Sequence, residues 1–133
     1  MDPRTDNGLR ARDLDRRETG NLIGSDKVEG TAVYSLANDK IGTIERVMID
    51  KLSGKVGYAV LSFGGFLGIG DDHYPIPWAK LTYDESLGGY RTDISKADLD
   101  NAPRYNADDD FEWNDRQRAM DIYTYYGVPP YWI

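Results

Sequence analysis

The sequence predicts a mainly β domain that ends in an α-helix, and three observations carry that prediction. Between Val28 and Arg91, short runs of branched and aromatic residues are separated by Asn, Asp, Ser and Gly, the pattern of strands joined by tight turns. One run, Val56 to Phe63, is largely apolar on both alternating faces, with Tyr58, Val60 and Ser62 opposing Ala59, Leu61 and Phe63. Such a strand is buried on two sides, as at the centre of a small barrel or sandwich. After Asp93 the apolar residues recur instead at helical spacing.

The elements follow in order. Residues 1–21 mix Asp, Arg, Asn and Gly without a hydrophobic period, which predicts a flexible charged arm. Val28 to Tyr34 reads as a first strand, and Asn38, Asp39 and Gly42 supply turn chemistry before a second strand over Ile41 to Ile49. That second strand is not cleanly apolar on either face at its start, so a bulge or a switch from exposed to buried is expected within it. Ser53-Gly54 turns the chain into Val56 to Phe63. Tyr74 to Trp78 holds a further short strand, but Pro75 and Pro77 lack ladder donors and place it at an edge or in irregular pairing. Leu81 to Asp84 and Tyr90 to Asp93 flank Gly88-Gly89 as a hairpin.

Two helices complete the reading. Ser95 with Asp98 forms a capping-box pattern, and Pro103 stops what it starts, giving a short helix over Ser95 to Asn101. Asn114 with Gln117 repeats the signature before Ala119, Ile122, Tyr123 and Tyr126, and Gly127 and Pro129 end that helix. The closing segment from Tyr125 to Ile133 is too aromatic for a disordered end. It must dock, either on its own barrel or across the interface of a homodimer, where Tyr and Trp are enriched.

Composition narrows the function classes. A chain of 133 residues with 40% hydrophobic content suits one core. There is no cysteine, which excludes disulfides, thiolate nucleophiles and cysteine metal sites and is compatible with a reduced cytoplasm. Met1 to Arg17 has no apolar stretch of secretory-leader length, and the longest apolar run, Tyr58 to Gly70, is interrupted by Ser62. That run falls short of the roughly 20 residues of a spanning helix, so a soluble cytoplasmic protein is expected. Net charge is −7. The acid excess sits late in the chain, where residues 93–133 carry four basic against nine acidic groups, including Asp108, Asp109, Asp110 and Glu112. Free nucleic acid is therefore not an expected partner.

Catalytic constellations fail on inventory. His73 is the single histidine, and no nucleophile-elbow pattern surrounds it. Asp71 and His73 could converge on a metal, but neighbours in an extended chain point to opposite faces, so Asp72 could not join them. The Asp108 to Glu112 run lacks EF-hand spacing. Asp84-Glu85 and Asp71-Asp72 are sequence neighbours on a hairpin and a loop, where carboxylates are solvated and nothing tunes them for acid-base work. The glycines Gly65, Gly68 and Gly70 run in the reverse order of a dinucleotide fingerprint, and Pro75 and Pro77 intervene where a phosphate-binding helix would have to start. No enzyme, cofactor or metal is expected.

The loop Gly64-Gly65-Phe66-Leu67-Gly68-Ile69-Gly70 mixes glycines with large apolar side chains that a soluble loop does not expose, so it is expected to pack and to return Pro77 and Trp78 to the core. Together with Gly30 to Tyr34, Ile41 to Ile44, Met48 to Asp50, Ser53 to Val56, Tyr58 to Ser62 and Pro77-Trp78, it resembles a PRC-barrel domain over about Leu22 to Pro103. The loop and the Tyr-Tyr-Gly-Val-Pro-Pro-Tyr-Trp tail look like one bacterial subgroup of single-domain members. The resemblance implies a small, strongly bent β-barrel of PRC type, with residues 104–133 as an acidic link, helix and aromatic tail. It is similar to the cytoplasmic domain of the photosynthetic reaction centre H subunit and to the C-terminal domain of the ribosome maturation factor RimM. It departs from both, lacking the membrane helix of the first and the RNA-associated domain of the second, and the family supplies no catalytic residue set.

The expected function is thus a non-catalytic module for protein interaction and assembly, self-associating as a homodimer, with Tyr123, Tyr125, Tyr126, Tyr131 and Trp132 as its contact surface. Gly64, Gly65, Gly68, Gly70, Pro77 and Trp78 have a structural part. Two alternatives stand beside it: an accessory protein of a membrane photosynthetic or electron-transfer complex, and a small-ligand or metal-binding protein using the Gly64 to His73 loop.

Overall fold

The computed structural model of the chain describes residues 18–19, 21–63, 72–106 and 111–133. Two short strands, β1 (Glu18–Thr19) and β2 (Leu22–Ile23), pair as a small hairpin of their own. A single helical turn, α1 (Ser25–Val28), leads into β3 (Ala32–Tyr34). The first predicted strand is therefore shorter than Val28 to Tyr34. Val28 closes the helical turn, and Gly30, at φ +86°, reverses the chain before the strand begins.

The centre of the sheet is β4 (Lys40–Ile49) against β5 (Val56–Phe63). The expected irregularity lies here in two places. Glu45 is an extra residue on β4 between the pairs Ile44–Leu61 and Arg46–Val60, and Gly57 is an extra residue on β5 between Met48–Tyr58 and Ile49–Val56. Each such bulge bends the strand and sharpens its twist. Strand β5 has the bounds read from the sequence, and Gly57 through Leu61 are all buried, as a strand covered on both faces requires. Gly42, assigned to turn chemistry in the sequence, is instead a buried strand residue opposite Val33 and Phe63, and Asn38, at φ +69°, makes the turn.

Beyond β5 lies β6 (Asp72–Pro77), whose outer edge is covered by β9 (Tyr105–Asn106) only at Asp72 and His73. Pro75 and Pro77 lie past that cover, at the open edge where a missing donor is tolerated. A 3₁₀ turn, Trp78–Lys80, then leads to the hairpin of β7 (Thr82–Asp84) and β8 (Gly89–Arg91), with Gly88 at φ +65°. Strand β8 runs parallel to β3. The full order is β7-β8-β3-β4-β5-β6-β9, one mainly antiparallel sheet of seven strands that does not close into a hydrogen-bonded ring.

The sheet is nevertheless strongly bent. Strands β6 and β8 are four steps apart, about 19 Å across a flat sheet at ~4.8 Å per step. The ring of Trp78, the residue after β6, lies 5.3 Å from that of Tyr90 on β8. Only a sheet curled on itself brings them together, which is the bent barrel the resemblance implied. Inside the curl lie Val33, Ile44, Ala59, Leu61, Ile76, Leu81 and Tyr90. Pro77 is fully buried, and Trp78 is half-buried against this core. The loop glycines Gly64, Gly65, Gly68 and Gly70 lie outside the described residues.

Two helices follow β8, one on each side of β9 in the chain. In α2 (Lys96–Asp100), Ser95 and Asp98 make the capping box in both directions. In α3 (Arg116–Tyr126), the N-cap is Asp115, not Asn114: its carboxylate accepts from the backbone N–H groups of Gln117 and Arg118. Gly127 ends α3 in the left-handed conformation at φ +69°, as a glycine after a helix commonly does.

Candidate interaction surface

The proposed contact residues of the C-terminal segment separate into two groups. The face of α3 that carries Ile122, Tyr123 and Tyr126 is buried against the barrel. Tyr123 is 2% exposed, and its hydroxyl donates to the carbonyl of Gly57 at 2.7 Å. Tyr126 is buried as well, and burial pushes its phenol well above the usual tyrosine range. These two residues are core, and in the folded chain they offer no surface. Tyr125 lies on the outer side of α3, where its hydroxyl donates to the backbone carbonyl of Asp98.

Tyr131 and Trp132 are half-buried where the tail folds back over α3. Trp132 packs edge-on against Tyr123 at 5.6 Å, and the Arg116 guanidinium sits over its ring at 4.0 Å from the centroid, within the range of a cation–π contact. Tyr131 lies against the backbone of Gly57, where a Cβ would stand 3.1 Å from its ring. The tail thus docks on its own barrel, the first of the two arrangements open to it in sequence.

This docking brings the tail beside the β4–β5 turn. Asp50 accepts from the backbone N–H groups of Leu52 and Ser53 and holds the turn shut. Those N–H groups, Ser53 foremost, keep its carboxyl below the usual range, with a smaller contribution from the Tyr131 hydroxyl. Lys55 Nζ reaches the Tyr131 carbonyl at 3.5 Å. Tyr58, its phenol raised to about 12 by burial, makes tilted ring contacts with Trp113 at 5.4 Å and Tyr123 at 5.3 Å. Around this end, apolar side chains face outward: Leu52 is 99% exposed, Ile133 84% and Ile49 49%. Sequence reasoning missed them, although a leucine among the turn formers Asp50, Lys51, Ser53 and Gly54 was a signal available to it.

A second feature lies at the seam of the curled sheet. Trp78, Leu81, Tyr83 and Tyr90, with Ile23 and Leu22 from β2, line a cleft of about 540 Å³ rimmed by Asn21 and Glu85. Tyr83 and Trp78 both stand steeply on Tyr90, at 72° and 63°.

Of the residues weighed for metal binding, Asp72 and His73 are described. His73 stacks on Tyr105 across the β6–β9 pair, with centroids 5.5 Å apart, and Asp72 lies 3.9 Å from Arg104. Asp71 and Asp108 to Asp110 lie outside the described residues. Among the described residues no group of three or more His, Cys, Asp or Glu could hold a metal ion. Asp84 anchors the β7–β8 hairpin, accepting from Ser86 and from Arg91 at 2.7 Å. No helix among the described residues is long and apolar enough to cross a membrane.

The model of the PRC-barrel domain matches residues 20–99. The chain belongs to the PRC-barrel family. None of the curated proteins matches it. The match ends at Leu99, so the PRC-barrel segment takes in the cleft and the β4–β5 turn, while β9, α3 and the tail lie beyond it. Those later elements still complete the barrel's core through Ile122, Tyr123 and Tyr126. PRC-barrel membership brings the general character of an interaction and assembly module.

Proposed function

We propose that this PRC-barrel protein is a non-catalytic assembly module that forms a homodimer through the end where the aromatic tail meets the β4–β5 turn. The observation that carries the reading is the exposure of Leu52 on the β4–β5 turn and of Ile133 at the end of the tail whose Tyr131 meets that turn, beside the partly exposed Ile49. A two-fold dimer needs one patch that is complementary to itself. An apolar centre flanked by both signs of charge, here Lys51 and Lys55 with Asp50 of the same turn, suits that need. Of the predicted contact set, the half-buried Tyr131 and Trp132 border the same patch, and Tyr123 supports it from beneath.

Light scattering on the full chain and on Leu52→Glu tests this reading. The full chain is expected at twice the monomer mass and the variant at the monomer mass, with equal melting temperatures because Leu52 packs on nothing within its own chain. A monomeric full chain would remove the proposal.

A further inference from the structure

The end of the barrel that carries the β4–β5 turn holds a hole as well as a knob. Met48, Ile49, Trp113 and Tyr131 wall a pocket of about 120 Å³, which Asp50 also lines. Cutting a leucine side chain back to alanine leaves about 150 Å³ in a packed core, so this pocket has room for one branched aliphatic group and little more. Neither of the two most exposed apolar side chains at this end fills it, since Leu52 is 99% and Ile133 84% exposed. Leu52 follows Ile49 by three residues, so knob and hole lie at most about 11 Å apart along the chain. A two-fold axis between them seats the leucine of each copy in the pocket of the other and closes the assembly at two copies. The charges agree with that placement. Asp50 stands beside the pocket and Lys51 beside the leucine, so each seated leucine brings a lysine towards the carboxylate of the other copy.

We infer that Leu52 of each copy inserts into the pocket walled by Met48, Ile49, Trp113 and Tyr131 of the other. The inference rests on the homodimer proposed above, and it adds the contact that sets the register of that dimer and selects a second copy of this chain. A flat apolar contact would accept a larger side chain at residue 52, whereas a pocket of this size rejects it.

Sedimentation equilibrium measures the dimer dissociation constant of the full chain and of three variants at residue 52, whose exposure leaves the packing of the monomer untouched. Leu52→Met, of similar volume, is expected to stay within about tenfold of the wild type. Leu52→Ala should weaken the dimer about a hundredfold or more, since both copies lose the buried methyl groups. Leu52→Phe should weaken it about a hundredfold as well, because the ring overfills the pocket. Association of Leu52→Phe as tight as the wild type or tighter overturns the insertion and leaves the dimer standing; a monomeric full chain overturns both. A second measurement locates the leucine. In mixtures of methyl-labelled and unlabelled chains, isotope-filtered nuclear Overhauser contacts from the Leu52 methyls should reach the Met48 methyl and the Trp113 ring of the other copy. Contacts confined to Leu52 or Ile133 of the other copy would set the turns tip to tip and overturn the insertion.

Discussion

The buried hydroxyl of Tyr123 donates a 2.7 Å hydrogen bond to the carbonyl of Gly57, the one residue of β5 that a bulge leaves without a partner on β4. A bulge frees backbone groups from the ladder, and a buried carbonyl without a donor is costly. Here a side chain from α3, far along the chain, supplies the donor. The same glycine leaves room for Tyr131, whose ring would stand 3.1 Å from a Cβ at this position. One bulge therefore holds both the helix and the tail.

Tyr123→Phe keeps the ring and removes the donor. It should lower unfolding free energy by about 1–3 kcal/mol in urea denaturation, since the Gly57 carbonyl stays buried and loses its partner. Gly57→Ala should cost a similar amount, about 1–3 kcal/mol, by pressing on Tyr131. Wild-type stability in both variants would mean that the helix is not anchored at the bulge.

Removing residues 114–133 strips Ile122, Tyr123 and Tyr126 from the core. Losses of about 2–5 kcal/mol per large buried side chain, set against a total stability of about 5–15 kcal/mol, predict an unfolded product. Circular dichroism should show no cooperative thermal transition. A truncated chain that melts cooperatively would show the barrel to be self-sufficient.

Trp78→Ala should cost roughly 2–3 kcal/mol, below the 3–5 kcal/mol of a fully buried ring, because Trp78 is half-buried and keeps one side on Tyr90. Chemical denaturation measures it. A loss under about 1 kcal/mol would mean that the Trp78–Tyr90 contact does not hold the curl.

Asp84 titrates low in the fold, at about 2 against 3.8 for a free aspartate, chiefly because the Ser86 hydroxyl and then the Arg91 guanidinium favour its ionised form. A carboxyl depressed in this way adds stability above its unfolded value and loses it as pH falls through the folded one. Asp84→Asn should therefore melt below the wild type at neutral pH, with the gap shrinking below pH 3.8 and gone near pH 2. A gap that is constant across that window would show that the Asp84 charge is not what stabilises the hairpin.

Much of this architecture was legible because it rests on local rules. The two-sided apolar pattern of Val56 to Phe63, the capping box of Ser95 with Asp98 and the Gly88 turn each act within a few residues. The bulge in β4 was legible as a phase change in its alternation. What escaped depends on distance. The parallel pairing of β3 with β8 joins residues far apart in sequence and leaves no periodic trace. The interior place of Tyr123 and Tyr126 follows from where α3 docks, and an aromatic helix face reads alike whether it meets a partner or its own core. The cleft escaped for the same reason, as Trp78, Tyr83 and Tyr90 converge only when the sheet curls. The local slips were small: Gly30 broke a strand read one turn too long, and Asp115 took the cap assigned to Asn114.

The absence of cysteine makes the central claim directly measurable, because a single introduced thiol carries a spin label at one place only. Lys51→Cys puts that label on the exposed β4–β5 turn. Mixed with isotope-labelled chains that carry no spin label, it should broaden the amide resonances of Ile49, Leu52 and Ile133 in those partner chains. Unbroadened spectra, or broadening confined to another face of the barrel, would contradict a homodimer formed through the tail and the β4–β5 turn.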